Sequence, residues 1–213
     1  MKVIIPFKSR GAKSRLCAVL NEEEREEFAR YMLRDVLKAI CAAGIDSATI
    51  ICTAPTDLAL EGLNMEVCIV FDKRGLNDVL NDVLRHEGAP LLIIMADLPL
   101  LSARNIKEIL SHEEDVVLAP GRKGGTNILF LRKPQQFAVD YYGVSFLDHI
   151  STARRRGLSV AIYDSFLVST DIDEPDDLIE LLIHGANKEA ANFLKKIGVE
   201  LDVNKEVRLR RRS

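Results

Sequence analysis

Short runs rich in valine, isoleucine and leucine punctuate the chain at Val3–Phe7, Ala48–Thr53, Glu66–Phe71, Leu91–Ala96, Asp115–Ala119, Asn127–Leu131 and Val160–Val168. Runs of that length and composition predict β-strands. Most of the stretches between them carry a helical period. The clearest covers about Glu22 to Ala43, where Phe28, Met32, Val36 and Ile40 recur every four residues on one face. Asn21 can cap its first turn, Glu22, Glu23 and Glu24 suit the positive end of the helix dipole, and Gly44 is a natural stop.

A second helix is expected from Leu76 to Leu84. There the sequence Asn-Asp-Val-Leu occurs twice in succession and stacks Leu76, Leu80 and Leu84 on one side. Two copies of a four-residue unit are helix periodicity, not a repeat architecture. Further helices are expected near Ser102–His112, Ser145–Arg156, Pro175–His184 and Asn187–Ile197. Strands alternating with helices predict an α/β fold, with a mostly parallel sheet covered on both faces. Asp115–Ala119 and Asn127–Leu131 differ, because only the glycine-rich segment Pro120–Thr126 separates them. They are expected to form a hairpin that brings one antiparallel strand into the sheet.

With 213 residues and no Pro-rich or Gly/Ser-rich linker, residues 1–213 are expected to form a single domain. Hydrophobic residues at 47% and charged residues at 29% suit a globular chain rather than a disordered one. The formal charge of −3 argues against a dedicated nucleic-acid binder. The longest purely apolar run, Leu91–Ala96, falls far short of the roughly 20 residues that span a bilayer. A basic loop interrupts the first apolar segment, so no signal peptide is expected, nor any partnership with a membrane. Cys17, Cys41, Cys52 and Cys68 lie far apart without zinc-ligand spacing, which fits isolated thiols in a reducing cytoplasm. The tail from about residue 205, with Lys205, Arg208, Arg210, Arg211 and Arg212, reads as a solvated end or a short edge strand.

In open α/β sheets ligands bind outside the carboxyl ends of the strands, and four polar segments fall there. The first is the loop Pro6–Leu16, with Lys8, Arg10, Gly11, Lys13 and Arg15. Cations and backbone amides there would suit a triphosphate, although a merely solvated basic loop has the same composition. It is not a Walker A loop, because with Lys13 as the lysine the required glycines fall at Phe7 and Ala12. The second is Asp97, ending the most apolar strand, where a carboxylate needs a cation or hydrogen-bond donors. Magnesium would supply that cation, whereas a turn-capping aspartate before Pro99 is the simpler alternative. The third is Thr170–Pro175, taken as the end of the last strand. In extended chain Asp171 and Asp173 share a side, and a divalent ion would relieve their repulsion, while Asp173 or Glu174 before Pro175 also suits a helix start. The fourth joins Gly124-Gly125-Thr126-Asn127 to Tyr142–Phe146, where Ser145 is either a helix N-cap or part of a phosphate site. Together these segments suggest metal-assisted phosphoryl or nucleotidyl transfer.

Pro6-Phe7-Lys8 with Ala12–Leu16, Gly75-Leu76-Asn77, Ala96–Leu100, Gly124–Asn127, Ser145-Phe146 with His149, and Asp171-Ile172-Asp173 with Pro175 and Leu178 occur in one order along the chain. The set resembles the 2-phospho-L-lactate guanylyltransferase family over about residues 1–180. That resemblance implies a Rossmann-like, three-layer GT-A-like nucleotidyltransferase fold. It also implies an enzyme that transfers GMP from GTP to 2-phospho-L-lactate in coenzyme F-420 biosynthesis, in the cytoplasm and as a homodimer. By the same resemblance Asp97, Asp171 and Asp173 would bind Mg2+, and Lys8, Lys13, Arg15, Gly75 and Asn77 the nucleotide. Thr126, Gly143 and Ser145 would hold the phosphoacid, and Asp97, Lys13 and Arg15 are the expected catalytic residues. His149, one turn into a helix, is read as structural. Other acceptors stay open: phosphoenolpyruvate, 3-phosphoglycerate, a sugar phosphate or a molybdopterin. The molybdopterin-loading group begins with a glycine-rich loop that Ile5-Pro6-Phe7-Lys8 lacks. A catalytically silent nucleotide sensor is the alternative of a different class, and retention of all three acids weighs against it.

Overall fold

The structure, a computed structural model, describes residues 1–8, 11–58, 60–202 and 207–211. Seven strands, β1 (Lys2–Phe7), β2 (Ser47–Cys52), β3 (Glu66–Phe71), β4 (Leu91–Ile94), β5 (Val116–Pro120), β6 (Thr126–Leu131) and β7 (Val160–Ile162), form one sheet in the order β3-β2-β1-β4-β6-β5-β7. β6 runs antiparallel to both neighbours and the remaining pairs are parallel. The expected hairpin of β5 and β6 is therefore present, with a register shift at Ala119/Pro120.

The period of two in the strands divides the core into two layers. Leu92 and Ile94 of β4 join Val3, Ile5, Val117, Ile128 and Phe130 on one face. Leu91 and Ile93 join Ile4, Val116, Leu118, Leu129 and Leu131 on the other. The first face is covered by α1 (Glu22–Ala42), α3 (Ala103–Ser111), α6 (Pro175–His184) and α7 (Glu189–Lys196). The second is covered by α2 (Leu76–His86) and α4 (Ser145–Arg155). The result is a three-layer α/β/α sandwich. α1 begins where the sequence indicated. Asn21 Oδ1 accepts from Glu24 N at 2.9 Å and the Glu24 carboxylate accepts from Asn21 N at 2.9 Å, a reciprocal cap. Gly44 stops it at φ +91°.

The segment Val160–Val168 is not one strand. β7 ends at Ile162, and Phe166–Ser169 forms a short helix, α5. The polar pair Asp164-Ser165 separates the two: Ser165 O accepts from Val168 N and Ser169 N, drawing the chain into a helical turn. Thr170–Pro175 thus follows a helix rather than a strand. The tail forms a two-stranded hairpin of β8 (Val199–Asp202) and β9 (Arg208–Arg211), with Arg211 paired to Glu24 of α1. Lys205 and Arg212 lie outside the described residues, as do Ser9 and Arg10 of the basic loop. No helix among the described residues is long and apolar enough to cross a membrane.

Candidate active site

β1 is flanked by β2 on one side and β4 on the other, so the connections leave it in opposite directions. A crevice opens at such a switch point, outside the carboxyl ends of β1 and β4. Lys13 follows β1 and Asp97 follows β4, which is why two residues 84 positions apart meet.

Ala12 and Leu16 are buried and anchor the loop after β1 to the core. Leu16 N donates to Lys13 O at 2.9 Å and closes a 3-10 turn over Ser14–Ala18. Lys13 sits at the head of that turn with φ 55° and ψ 39°, the left-handed region that a lysine visits at a cost of roughly 1 kcal/mol. The strained backbone aims its side chain into the crevice. Nζ donates to Asp97 Oδ2 at 2.6 Å and to Asp173 Oδ1 at 2.5 Å. Burial alone would pull the ammonium's pKa down, but Asp97 and Asp173 outweigh it and hold the pKa above its ordinary value. Lys13 is a fixed cation.

Asp173 and Asp171 are carried by the loop between α5 and α6, which Ile172 pins in place. Ile172 is fully buried, and its N–H donates to Asp97 O at 3.1 Å. Asp171 turns toward the β5–β6 turn, where its Oδ1 accepts from Asn127 Nδ2 at 3.2 Å and Arg122 N at 3.3 Å. Burial, then the nearby Asp97 and Asp173, raise its pKa. The three acids therefore share one electrostatic neighbourhood, but they are not arranged alike. Among the described residues no three Asp, Glu, His or Cys side chains form a group able to hold a metal ion by themselves. Asp97 and Asp173 face one another across Lys13, whereas donors occupy the carboxylate of Asp171. A pair of carboxylate oxygens still fits magnesium, which takes one or two carboxylates and completes its shell with phosphates and water.

Lys8, Lys13, Asp97 and Asp173 line a cavity of about 470 Å³. Met32, Ile51, Leu80 and Met95 add apolar lining to the same cavity, and Thr53, Asp72 and Arg74 add polar lining. Motif reasoning missed those three polar residues. Thr53 and Asp72 are the first residues after β2 and β3, so the rule for strand carboxyl ends could have found them. Arg74 grips Asp72 with Nε and Nη2, the shortest contact being 2.7 Å, and also reaches Asp82 at 3.2 Å.

The remaining expected residues do not line this cavity. Arg15 is at the rim, with Nη1 3.9 Å from Asp173 and 3.7 Å from Glu174. Gly75 precedes α2 in extended conformation, and a Cβ there would meet Tyr142 Oη at 3.2 Å. The Asn77 amide bridges elsewhere: Nδ2 donates to Asp140 at 2.7 Å and Oδ1 accepts from Tyr141 N at 2.8 Å. Thr126 and Ser145 are buried, and Ser145 Oγ lies 3.2 Å from Thr126 Oγ1. Ser145 is the first residue inside α4 rather than its cap, because Val144 holds the cap position. Gly143 has φ +66° and lets the chain turn into α4. His149 is fully buried; its Nε2 accepts from Asp140 N at 3.0 Å, so the proton sits on Nδ1, 2.9 Å from Thr126 Oγ1. Burial lowers its pKa to about 4, and Asp140 and Asp148 offset this only in part. His149 is a neutral brace.

A family model described as "Guanylyl transferase CofC like" matches residues 1–213. The 2-phospho-L-lactate guanylyltransferase of Methanosarcina mazei is 48% identical over 205 residues, covering 96% of each chain. That of Archaeoglobus fulgidus is 45% identical over 212 residues, covering 100% of this chain and 98% of its own. Among solved structures, a protein of Desulfovibrio desulfuricans G20 described as a candidate nucleotide-diphospho-sugar transferase superposes with a TM-score of 0.72 at 17% identity. It covers 92% of this chain and 95% of its own. CMP:2-keto-3-deoxy-manno-octonic acid synthetase superposes with a TM-score of 0.55 at 11% identity, covering 87% and 98%. At such identities these two likenesses establish the fold alone.

Proposed function

This chain belongs to the guanylyl transferase CofC-like family, and from that premise we propose that it transfers GMP from GTP to 2-phospho-L-lactate. The products are lactyl-2-diphospho-5'-guanosine and pyrophosphate, a step of coenzyme F-420 biosynthesis. The observation that carries this reading is Lys13 Nζ, within hydrogen-bond distance of Asp97 and Asp173 in a cavity that Lys8 also lines. One crevice thus offers fixed positive charge for a triphosphate beside a pair of acids for a divalent ion.

The acceptor's phosphate oxygen attacks the α-phosphorus of GTP, and the bond from that phosphorus to the α,β-bridging oxygen breaks, releasing pyrophosphate. Such an oxygen is already ionised near neutral pH, so no general base is required. Catalysis then rests on in-line positioning and on neutralising charge at the α-phosphate and the departing pyrophosphate. Asp97 and Asp173, with Asp171 nearby, would hold Mg2+, which would supply positive charge to stabilise the departing pyrophosphate. Lys13 and Lys8 bind the triphosphate, and Arg15 closes the rim over it. Gly75 and Asn77 set the start of α2 beside the nucleoside. Thr126, Gly143 and Ser145, braced by His149, shape the acceptor end through the turn that carries Gly124 and Gly125.

The matched residues 1–213 support one nucleotidyltransferase domain over the whole chain. A homodimer accords with β3, a sheet edge on which Ile69, Val70 and Phe71 are 36, 41 and 52% exposed. Four free cysteines, with Cys17 and Cys68 exposed, accord with a cytoplasmic location. The test is pyrophosphate release with GTP or ATP, Mg2+ and a panel of 2-phospho-L-lactate, phosphoenolpyruvate and 3-phosphoglycerate, with products identified by mass. Release with GTP that is fastest with 2-phospho-L-lactate is expected. No release with any acceptor, despite GTP binding, would leave a nucleotide sensor instead.

A further inference from the structure

We infer that Arg122 and Asp177 form a positioning pair that sets the geometry of the Asp171–Asp173 loop for metal binding. The inference rests on the reading of Asp97, Asp171 and Asp173 given above.

Between α5 and α6 the sheet reaches only the Asp171 side of that loop, through Asn127 of β6, whose Nδ2 donates to Asp171 Oδ1 at 3.2 Å. On the Asp173 side, a set of bonds converges on one buried carboxylate. Asp177, two residues past the Pro175 that opens α6, accepts from Asp173 N at 2.9 Å and from Glu174 N at 2.8 Å through Oδ2. Its other oxygen, Oδ1, accepts from Arg122 Nη1 at 2.6 Å. Arg122 lies in the turn between β5 and β6. Its Nη2 reaches Thr170 Oγ1 at 3.4 Å, and its backbone N–H donates to Asp171 Oδ1 at 3.3 Å. Lys123 adds a neighbouring rung by pairing with Glu174 at 2.6 Å. Arg122 therefore touches the loop on both sides of Ile172: Asp171 through its own amide, and Asp173 through Asp177.

The chemistry distinguishes this pair from ordinary helix capping. A cap needs only an acceptor for the loose amides, which a neutral side chain supplies. Here the carboxylate also carries a charge-assisted bond to a guanidinium from a different element, and its side chain keeps only 10% of its exposure. The turn that supplies Arg122 is the same one that leads to Thr126, so the pair ties the acceptor end of the site to its acids. Partners of this kind, one bond removed from the metal ligands, typically govern metal affinity by about 10- to 100-fold.

The test uses the full chain with Mn2+ as the probe, titrated by electron paramagnetic resonance in the presence of a non-hydrolysable α,β-methylene GTP. D177N and R122M are each expected to weaken Mn2+ about tenfold or more. Binding of the nucleotide without metal, in EDTA, should change by less than about threefold, or roughly 0.6 kcal/mol. R122K, which keeps the charge but loses the fork, should fall between the wild type and R122M. The double variant should be no weaker than the weaker single one, because the pair acts as a unit. In turnover, excess Mg2+ should restore most of kcat. Unchanged Mn2+ affinity with a lower melting temperature would make the pair purely structural and overturn the inference. Additive losses in the double variant would overturn it too. If the wild type with nucleotide binds no Mn2+, the reading of the acids fails as well, an outcome distinct from wild-type binding that the variants share.

Discussion

Replacing Lys13 with methionine keeps the length of the side chain and removes its charge. Two carboxylates, Asp97 and Asp173, then lose the ammonium that now lies 2.6 and 2.5 Å from them. Deleting one partner of a fully buried ion pair costs roughly 3–5 kcal/mol. Here Asp97 keeps 26% and Asp173 41% of side-chain exposure, so water screens the orphaned charges. A loss of about 1–2 kcal/mol is the expected outcome. For a chain of this size that lowers the melting temperature by roughly 2–8 °C. Because the deficit is one of positive charge between two acids, millimolar Mg2+ should recover more of it in K13M than it adds to the wild type. Turnover should fall by about 10²- to 10³-fold, the usual cost of removing a fixed donor from developing charge. The assays are thermal unfolding with and without Mg2+, and pyrophosphate release at saturating GTP. A variant with unchanged melting temperature, no added response to Mg2+ and turnover within about threefold of wild type (about 0.6 kcal/mol) would refute the assigned role of Lys13.

Three further predictions probe other parts of the site. D97N should fold, because Asp97 is half-buried at the crevice rather than in the core, yet lose most turnover; near-normal activity at saturating magnesium would remove Asp97 from the metal site. G121A should destabilise the fold by about 1–3 kcal/mol, since the added Cβ would stand 2.2 Å from Asn127 Oδ1 and push away the amide that bonds Asp171; circular-dichroism melts that superpose on wild type would contradict this. His149 is protonated in the folded state only near pH 4 but in the unfolded chain near 6.5, so unfolding takes up a proton between those values. Stability carried by the neutral ring is thus present above pH 6.5 and lost as pH falls toward 4, by about 3 kcal/mol in total. Urea unfolding of wild type and H149N across that range should show the loss in the former alone; parallel curves would refute it.

Much of the architecture was legible because periodicity and punctuation agreed. In α1 the four-residue spacing, the Asn21–Glu24 cap and Gly44 point to one helix, and burial of Phe28, Met32, Val36 and Ile40 follows from it. The β5–β6 hairpin was equally plain, because the short glycine-rich connection leaves no room for a crossover helix. Val160–Val168 misled, since an apolar run of that length has no period of its own and Asp164-Ser165 was too brief a break to register. In the site, Lys13 and Asp97 could be placed by one rule, that ligands sit at strand carboxyl ends. Asp171 and Asp173 were found as acids, but their division of labour was not. Sequence alternation puts both on one side; only the folded turn supplies the Asn127 and Arg122 donors that draw Asp171 away. Arg122 and Asp177 are invisible to motif reading for the same reason, being 55 positions apart and meaningful only as a pair. The buried hydroxyls of Thr126 and Ser145 show the converse: residue type suggested ligand contact, whereas Ser145 bonds Thr126 and Thr126 bonds His149 in a buried chain.

The most direct measurement is the anomalous scattering of Mn2+ in crystals soaked with α,β-methylene GTP and 2-phospho-L-lactate. Convergence of the acids on a nucleotide-bound cation predicts a peak between the carboxylates of Asp97 and Asp173, with the triphosphate against Lys8 and Lys13 and Lys13 Nζ moved from the acids to a phosphate oxygen. A peak remote from both aspartates, or triphosphate bound in the crevice with Lys13 still bridging them and no metal nearby, would contradict it.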